Sequence, residues 1–177
     1  AGELVMATSG YTGTVAAALE RKLVPIGSYV IATAPLPEPL ARELSPHGRM
    51  MYDSRHFLHY FRLTPDRRLL FGGRAQFVPD TPDTIRDSAA ELRRGMLEIH
   101  PQLREVNIDY AWGGTLDFSY DTMPHMGQID GYYYALGYAG HGVALASLLG
   151  TQLGETLGTT ELQQNVFAQL PFVPLPF

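Results

Sequence analysis

The sequence predicts an α+β fold built mainly on an antiparallel sheet with flanking helices. Residues 57–63 and 68–72 are rich in Phe, Tyr and Leu and flank the sequence TPDR, in which Pro and Asp suit the centre of a type I hairpin turn. Residues 84–99 carry apolar side chains at helical spacing. Residues 131–136 have the pattern of a strand, and a glycine-rich turn leads from them into an Ala- and Leu-rich helix.

Two strands and one short helix are predicted ahead of the hairpin. Residues 4–8 have strand character and run into the glycine turn 9–13. Residues 24–34 carry Val, Ile, Tyr and Thr in rough alternation, and residues 14–23 suit a short helix. The second strand ends at residues 35–39, because the three prolines of this stretch cannot continue a sheet ladder.

An amphipathic helix is predicted after the hairpin. Asp83 or Thr84 is expected to cap its amino end, and His100-Pro101 is expected to end it. Residues 106–112 then return to a strand. The apolar positions that define one face of the helix are Ile85, Ala89, Leu92, Met96 and Ile99.

The last predicted helix spans residues 143–157. Its apolar residues lie nearly all round the helix, which indicates a buried helix. Beyond Gly158 the chain carries several prolines, so residues 159–177 are predicted to form an irregular tail.

The composition argues against several functions. The 13 basic and 18 acidic residues give a net charge of −5 and are scattered, so we expect no binding of nucleic acid. The chain has no cysteine, which excludes disulfides and thiol nucleophiles. The histidines lack metal-binding spacing, and His56 and His59 are expected on opposite faces of a strand, so no metal site is predicted. No window reaches the ~18 apolar residues of a membrane helix, so we expect a soluble, cytoplasmic protein that does not bind membranes.

Residues 137–142, GYAGHG, are the most informative turn of the chain. Glycine permits close backbone approach, and the amino end of the following helix offers free N–H groups and the positive end of the helix dipole. The layout suits an anionic or electron-rich ligand. The spacing is not the GxGxxG fingerprint, so pyrophosphate binding is a poor fit. The alternative is that these glycines only allow the helix to pack against the strand.

A succession of short segments accompanies this turn, and their order and spacing carry a family resemblance. The chain resembles the D-amino-acid oxidase-like family of FAD-dependent oxidoreductases, which includes glycine and sarcosine oxidases, and is most similar to its γ-glutamylputrescine oxidoreductase-like members. The resemblance covers essentially the whole chain. The segments are VMATSGY at 5–11, Pro25, Ser28-Tyr29, YFR at 60–62, RLLFGG at 68–73, WGG at 112–114, DTMPHMG at 121–127 and GYAGHG.

The resemblance implies that the chain is the carboxy-terminal portion of such an enzyme. Residues 1–23 would end the FAD-binding lobe, and residues 24–115 would form the substrate-binding antiparallel sheet. Residues 116–158 would return to the FAD-binding lobe, ahead of the tail 159–177.

The resemblance also implies an FAD site in which the helix after GYAGHG faces the pyrimidine side of the flavin. There the helix would stabilise negative charge on the reduced flavin, as preorganised donors do in an oxyanion site. The attachment cysteine of sarcosine-oxidase-like members has no counterpart near Gly114, so we expect non-covalent FAD. The implied FAD-binding residues are Thr8, Gly10, Gly113, Gly114, Gly137, Tyr138, Ala139, Gly140, His141, Gly142 and Val143.

The reaction implied by the resemblance is hydride transfer from the carbon that bears the amine to the flavin, which gives an imine that hydrolyses. It requires no side-chain acid or base, so no catalytic residue is assigned. Leu116 lies where glycine-oxidase-like members place a carboxylate-binding arginine, and Leu70 lies where sarcosine-oxidase-like members keep an oxygen-activating lysine. These differences count against a simple α-amino-acid substrate and against efficient use of oxygen.

Tyr60, Arg62 and Tyr52 are the candidate substrate-binding residues. Tyr60 and Arg62 share one face of the hairpin, and Tyr29 and His59 are further candidates to approach it. Tyrosine and arginine together suit a small ligand that carries an amine and a carboxylate. The alternative is a cross-strand aromatic pair beside a solvated arginine.

The dinucleotide-binding turn of the family, GxGxxG, has no counterpart in this sequence. We therefore expect the chain to be a fragment of a longer parent enzyme and to bind FAD poorly when alone. The alternative function is a non-catalytic sheet domain that binds a small molecule or a partner without flavin. The sequence upstream of Ala1 distinguishes the two.

Overall fold

The computed structural model describes residues 2–55, 58–77, 81–159 and 161–176, and it describes residues 74 and 75 by their backbone alone. The strands in these ranges are β1 (Val5–Met6), β2 (Val24–Thr33), β3 (Met51–Tyr52), β4 (Tyr60–Leu63), β5 (Leu69–Gln76), β6 (Ile108–Phe118), β7 (His125–Ile129) and β8 (Tyr132–Leu136). The helices are α1 (Ala17–Glu20), α2 (Glu38–Leu44), α3 (Pro82–Ile99), α4 (Gly142–Thr156) and α5 (Val166–Gln169). Short 3-10 turns lie at Ser9–Tyr11, Gly13–Ala16, Pro101–Leu103 and Glu161–Gln164.

The chain divides into two compact units. The first unit comprises Ala1–Ile26 and Thr115–Phe177, and the second comprises Gly27–Gly114. Both boundaries fall inside long strands, β2 and β6, so these two strands contribute residues to each unit. The assignment of the predicted parts to an FAD-binding lobe and a substrate-binding sheet stays a prediction.

The second unit is built on a five-stranded sheet in the order β3-β4-β5-β2-β6. The predicted hairpin is confirmed: β4 pairs with β5 in antiparallel register, and the N–H of Arg67 donates to the carbonyl of Thr64 at 2.9 Å to close the turn. Phe57, which was predicted to belong to the hairpin, lies outside the described residues. The α+β class with its antiparallel sheet is likewise confirmed.

The core of the second unit lies between one face of this sheet and its helices. Alternate residues of the strands point to this face, and α3 contributes its apolar stripe. The largest side chains that are almost fully buried there are Tyr29, Phe71, Ile31, Leu36, Leu69, Leu92, Met96 and Leu103.

Two features of the helices in this unit differ from the sequence prediction. The helix α2 was not predicted, because the prolines at 37 and 39 were interpreted only as strand breakers. Proline is tolerated in the first turn of a helix, where its missing N–H has no partner to lose. The cap of α3 is Thr81 rather than Asp83 or Thr84, because Pro82 occupies the first helical position and the helix therefore begins earlier in the sequence than predicted.

The first unit contains a three-stranded sheet in the order β1-β8-β7, in which β1 and β8 are parallel and β7 and β8 are antiparallel. The helix predicted over residues 14–23 is split into a 3-10 turn and the single turn α1. The buried side chains of this unit form two clusters on the sheet. They are Met6, Ala16, Leu19, Leu23 and Leu136 in one cluster, and Met126, Tyr133, Ala135, Leu149, Leu153 and Leu162 in the other.

The prediction that the last helix is buried is wrong. Within α4 only Leu149 and Leu153 are buried, whereas Val143 is 94% exposed and Leu148 is 46% exposed. The helix packs through one side against β8 and the turn at Glu161–Gln164. An apolar pattern on all sides of a helix indicates burial but cannot show which sides have a neighbour.

The prediction of an irregular tail also needs correction. Residues 161–169 form a 3-10 turn and α5, and the side chain of Asn165 accepts the N–H of Phe167 at 2.9 Å to cap α5. The prolines that suggested irregular structure all follow residue 170, so they leave this stretch free to become helical.

The cap of α3 gives a prediction for stability. The hydroxyl of Thr81 accepts the N–H of Thr84 at 3.1 Å, and the hydroxyl of Thr84 accepts the N–H of Thr81 at 2.8 Å. Thr81→Ala removes one half of this capping box and should lower the free energy of unfolding by about 1 kcal/mol in urea denaturation. Arg94→Ala, an exposed change in the same helix, is the control and should leave stability nearly unchanged. An equal loss in both variants would contradict the prediction.

Candidate functional site

The turn between β8 and α4 contains a run of left-handed backbone conformations. The φ angles of Gly137, Ala139 and Gly140 are +81°, +49° and +87°. Glycine adopts such angles without steric cost, but the Cβ atom of Ala139 makes this conformation unfavourable unless other interactions hold it. The GYAGHG sequence therefore folds as a tight reversal that leads from the strand into the helix.

The start of α4 presents backbone N–H groups that the helix itself does not use. His141 is the N-cap residue, and its side chain makes no capping hydrogen bond. The first intrahelical bond runs from the N–H of Leu145 to the carbonyl of His141 at 3.1 Å. The N–H groups of Gly142, Val143 and Ala144 are left without an intrahelical acceptor, at the positive end of the helix dipole. Within the described structure this helix end is open, since the Val143 side chain is almost fully exposed.

The packing of the protein requires glycine at one of two predicted site positions, Gly10, but not at the other, Gly142. A Cβ atom at Gly10 would lie 2.6 Å from the carbonyl oxygen of Thr115, so the packing of the protein itself demands glycine there. A Cβ atom at Gly142 would meet only Tyr138, at 3.8 Å, which is an ordinary contact. Neither packing nor a left-handed φ angle explains Gly142, and the same holds for Gly150 and Gly154 further along α4, which line the same cavity.

A cavity of about 420 Å³ in the first unit joins the end of β1 to the start of α4. Ala7 and Ser9 line it from one side, and Tyr138 and Gly142 line it from the other. Thr8 lies between the first two, and its hydroxyl is 2.7 Å from that of Thr12. The structure thus brings the predicted 8–10 segment close to the predicted 137–143 turn. The remaining lining residues are Val5, Ala135, Ala146, Gly150, Leu153, Gly154 and Leu157.

Gly113 and Gly114 lie in the middle of β6 and are half-buried. They belong to the second unit, at its boundary with the first. Their proposed contact with FAD stays a prediction.

Asp117 is the site residue that sequence reasoning missed. Strand β6 continues past the predicted end at residue 112 and carries Asp117, which is 2% exposed. Its carboxylate accepts the N–H of Gly137 at 2.6 Å and the N–H of Tyr138 at 3.1 Å, and its carbonyl accepts the N–H of Ala139 at 3.0 Å. The sequence marks this position only by a charged residue inside the segment TLDF. The segment does not identify the groups that bond to the carboxylate.

Tyr138 is held in the turn by a hydrogen bond from its hydroxyl to the carbonyl of Ala135 at 2.9 Å. Burial of the phenol, together with the nearby negative charge of Asp117, raises the pKa of Tyr138 to about 12. The phenol therefore stays protonated at neutral pH and serves as a donor rather than as a base.

The loop before β7 is organised by Asp121. Its carboxylate accepts the N–H of Met123 at 3.1 Å and the hydroxyl of Ser119 at 2.9 Å, and it lies 3.0 Å from Nε2 of His125. Burial raises the pKa of Asp121, but the bonds from His125, Met123 and Ser119 outweigh it and hold the pKa below its usual value. The ring of the buried His125 stacks on Phe172 at 4.3 Å between centroids. This part of the DTMPHMG segment is therefore occupied with internal bonds.

The three candidate substrate-binding residues lie on the face of the second unit's sheet that is opposite to its core. Tyr52 is directly across from Tyr60 in the β3–β4 pair, and Arg62 is two residues further along β4. Tyr60 packs across Gly72, and Tyr52 and Arg62 are exposed. A cavity of about 210 Å³ on this unit is lined by Tyr60 and Arg62 together with Val30, Met50, Phe61, Leu70 and Trp112.

Tyr29 and His59 do not approach this face, so that expectation is wrong. Tyr29 is 1% exposed and belongs to the core, because it is adjacent to Val30 and so points to the other side of the sheet. His59 packs on Phe71 with ring centroids 4.9 Å apart, and its Nδ1 lies 3.2 Å from the carboxylate of Asp53.

Histidine and acidic side chains do not gather into a metal site within the described ranges, where no group of three or more could hold an ion. His56 lies outside these ranges, so its predicted orientation relative to His59 is not described. Among the helices in the same ranges, none combines the length and the apolar character needed to cross a membrane.

The raised pKa of Tyr138 gives a prediction for stability at high pH. A neutral phenol is favoured in the folded state, so its contribution is fully present below pH 10.0, the ordinary pKa, and is lost as pH rises to about 12. In chemical denaturation, the wild-type protein should lose more stability across this range than Tyr138→Phe does. Tyr52→Phe, at a 73% exposed position, is the control and should behave as wild type. Parallel curves for wild type and Tyr138→Phe would refute this.

Comparison with curated proteins identifies two clear bacterial relatives. The chain is 34% identical over 173 residues to a probable oxidoreductase, OrdL, of Haemophilus influenzae, and the match covers 95% of this chain and 38% of the relative. It is 36% identical over 175 residues to γ-glutamylputrescine oxidoreductase of Escherichia coli, with 98% of this chain and 40% of the relative covered. The chain thus spans about two fifths of the length of these relatives.

Solved structures share the fold. L-proline dehydrogenase from P. horikoshii superposes with a TM-score of 0.70 at 22% identity, over 89% of this chain and 42% of that chain. Glycine oxidase from Geobacillus kaustophilus superposes with a TM-score of 0.70 at 16% identity, over 99% of this chain and 45% of that chain.

The family model described as DAO, FAD dependent oxidoreductase, matches residues 1–156 of the chain. This match covers both units of the fold and both segments that line the cavity at the start of α4. It confirms the resemblance that the short sequence segments predicted. The chain belongs to the FAD-dependent oxidoreductase family, whose cofactor is FAD.

Proposed function

We propose that this chain supplies the carboxy-terminal part of an FAD-dependent enzyme that oxidises an amine or an amino acid. The observation that carries the proposal is the start of α4, where backbone N–H groups without an intrahelical acceptor lie at a dipole end and Gly142 lines a cavity. Free N–H groups at the positive end of a helix dipole suit an electron-rich ring edge. The family membership of the chain supports the same ligand.

The residues present fit FAD at this place. Gly140, His141, Gly142 and Val143 would face the pyrimidine edge of the flavin, and the 8–10 segment with Thr8 and Gly10 would flank it. Gly137, Tyr138 and Ala139 would shape the turn, since their N–H groups are already used. A role of Gly113 and Gly114 in FAD binding stays a prediction from the family resemblance. This chain has no cysteine and so offers no thioether link to the flavin, and we propose that FAD is held here without a covalent bond.

When bound, FAD would accept a hydride from the carbon that carries the amine, and the imine product would hydrolyse. The free N–H groups of α4 would stabilise the negative charge that the reduced flavin acquires, because fixed donors need no rearrangement when the charge develops. Tyr138 would stay protonated, as its pKa of about 12 requires. The chain's own contribution is therefore placement and electrostatics.

The substrate class follows from Arg62, Tyr60 and Tyr52. A guanidinium group at the rim of an apolar, aromatic cavity suits a chain-like amino compound with a terminal carboxylate. We propose a γ-glutamylated polyamine or a similar amine as the substrate. The relative from Escherichia coli, which is named a γ-glutamylputrescine oxidoreductase, supports this choice. A cytoplasmic location accords with polyamine metabolism and would be tested by cell fractionation.

The first test of the proposal uses Gly142→Ala in the full-length protein. The protein's own packing tolerates a methyl group here and alanine favours a helix, so the unfolding temperature should be unchanged or higher. FAD affinity, measured by quenching of flavin fluorescence on the apoprotein, should fall by about tenfold or more, a loss of about 1.4 kcal/mol. Thr151→Ala, an exposed change in the same helix that does not line the cavity, is the control and should keep wild-type affinity. If the wild-type protein binds no FAD, the chain belongs to a flavin-free binding domain instead.

The second test follows flavin reduction in the full-length protein under anaerobic conditions with a panel of amines and amino acids. Arg62→Met keeps an unbranched apolar stem but removes the guanidinium group and its charge. It should raise KM for substrates with a carboxylate by about tenfold to a hundredfold, as expected for loss of a charged hydrogen bond worth about 1.5–3 kcal/mol. The KM for simple amines should change little. An equal effect on both classes would remove Arg62 from the proposed site.

A further inference from the structure

We propose that Asp117 is a positioning residue, which holds the 137–143 turn in the shape that its ligand needs. This inference rests on the proposed function, in which the ligand is FAD. Neither the family match nor the predicted site residues assign a role to Asp117. Its carboxylate accepts backbone N–H groups of the turn, so it acts through the backbone.

The argument begins with the number of bonds that converge on one residue. Three consecutive N–H groups, those of Gly137, Tyr138 and Ala139, all donate to Asp117, two to its carboxylate and one to its carbonyl. Each bond constrains one peptide plane, so together they determine the path of the chain through the reversal. At 2% exposure, Asp117 cannot be replaced as an acceptor by bulk water.

The conformation that these bonds hold is unfavourable on its own. Ala139 is a residue other than glycine with φ +49°, and it lies between two glycines that are also left-handed. The bond from its N–H to the carbonyl of Asp117 offsets that cost. Loss of the carboxylate would leave two buried N–H groups without their acceptor and free the turn to change shape.

The bonds also divide the N–H groups of the segment into two sets. Those of residues 137–139 are used by Asp117, whereas those of Gly142, Val143 and Ala144 point along the helix axis and have no intrahelical acceptor. The carboxylate thus satisfies N–H groups at the start of the turn and leaves those at the start of α4 available for a ligand. It is not a base for the substrate, because both of its oxygens accept N–H groups in a buried place.

A charge effect and a positioning effect predict opposite results. Asp117 is negative and FAD is an anion, so removal of the charge by itself would strengthen FAD binding. Removal of the acceptors would loosen the turn and weaken FAD binding. The sign of the change in affinity therefore distinguishes the two.

The experiment compares Asp117→Asn with Asp121→Asn in the full-length protein. Asp121 is a matched control, because its carboxylate also accepts a backbone N–H in the same unit but does not bond to the turn. Asp117→Asn should weaken FAD binding by about tenfold or more, since the amide retains one acceptor and presents a donor to the other N–H. Ala139→Gly in the same background should recover part of the affinity, because glycine adopts the left-handed conformation at lower cost. Asp121→Asn should lower the unfolding temperature without changing the FAD dissociation constant.

A second measurement needs no variant and no FAD. In the wild-type apoprotein, the amides of Gly137 and Tyr138 should exchange with deuterium far more slowly than that of Val143, although none of the three bonds within a helix or sheet. An unchanged or tighter FAD dissociation constant in Asp117→Asn, or equal exchange at these amides, would overturn the inference. Absence of FAD from the wild-type protein would instead refute the proposed function. The deuterium exchange of these amides would then be the remaining test of whether Asp117 holds the turn.

Discussion

The hydrogen bonds between Asp117 and the turn at 137–139 are the constraint on which the candidate site depends. They join the end of β6 to the turn before α4, at a sequence separation of 20 residues between Asp117 and Gly137. The turn contains three left-handed residues in four positions, a conformation that a free chain would rarely populate. Asp117 supplies acceptors that hold this conformation, while α4 itself also packs against β8 and the turn at Glu161–Gln164.

The glycines around the site differ in whether the fold itself requires them. Gly137 and Gly140 are needed for their backbone angles, and Gly10 is needed because the carbonyl of Thr115 leaves no room for a side chain. Gly142 has neither reason. In such a site the turn is held by internal hydrogen bonds, and the N–H groups at the start of the helix stay free. Preorganised electrostatic stabilisation requires this arrangement.

The second unit has a different design. Its sheet buries one face under α3 and leaves the other face open, with Tyr52, Tyr60 and Arg62 on it. Alternation along the strands assigns each residue to a face, so Tyr29 enters the core while its neighbour Val30 lines the small cavity. Aromatic side chains on the open face can contact an aliphatic ligand, and the arginine can bind its charged end.

The sequence by itself determined the fold class, the hairpin, the helix over residues 84–99 and the family. Each depends on short-range patterns: alternation in strands, helical spacing, turn chemistry and the order of short segments. It did not reveal α2 or the cap Thr81, because proline both breaks strands and opens helices. Local pattern also placed Tyr29 and His59 on the wrong face, since the register of the strand was not yet known.

Only the tertiary structure decided which residues meet. Asp117 and Gly137 are distant in sequence, and nothing in the pattern TLDF identifies a backbone turn as the partner of the carboxylate. The exposure of α4 was also invisible in the sequence, because apolar residues on all sides of a helix have no preferred direction. Hydrogen bonds and packing between distant segments depend on how the chain crosses itself, and that information resides in the whole fold rather than in any window of residues.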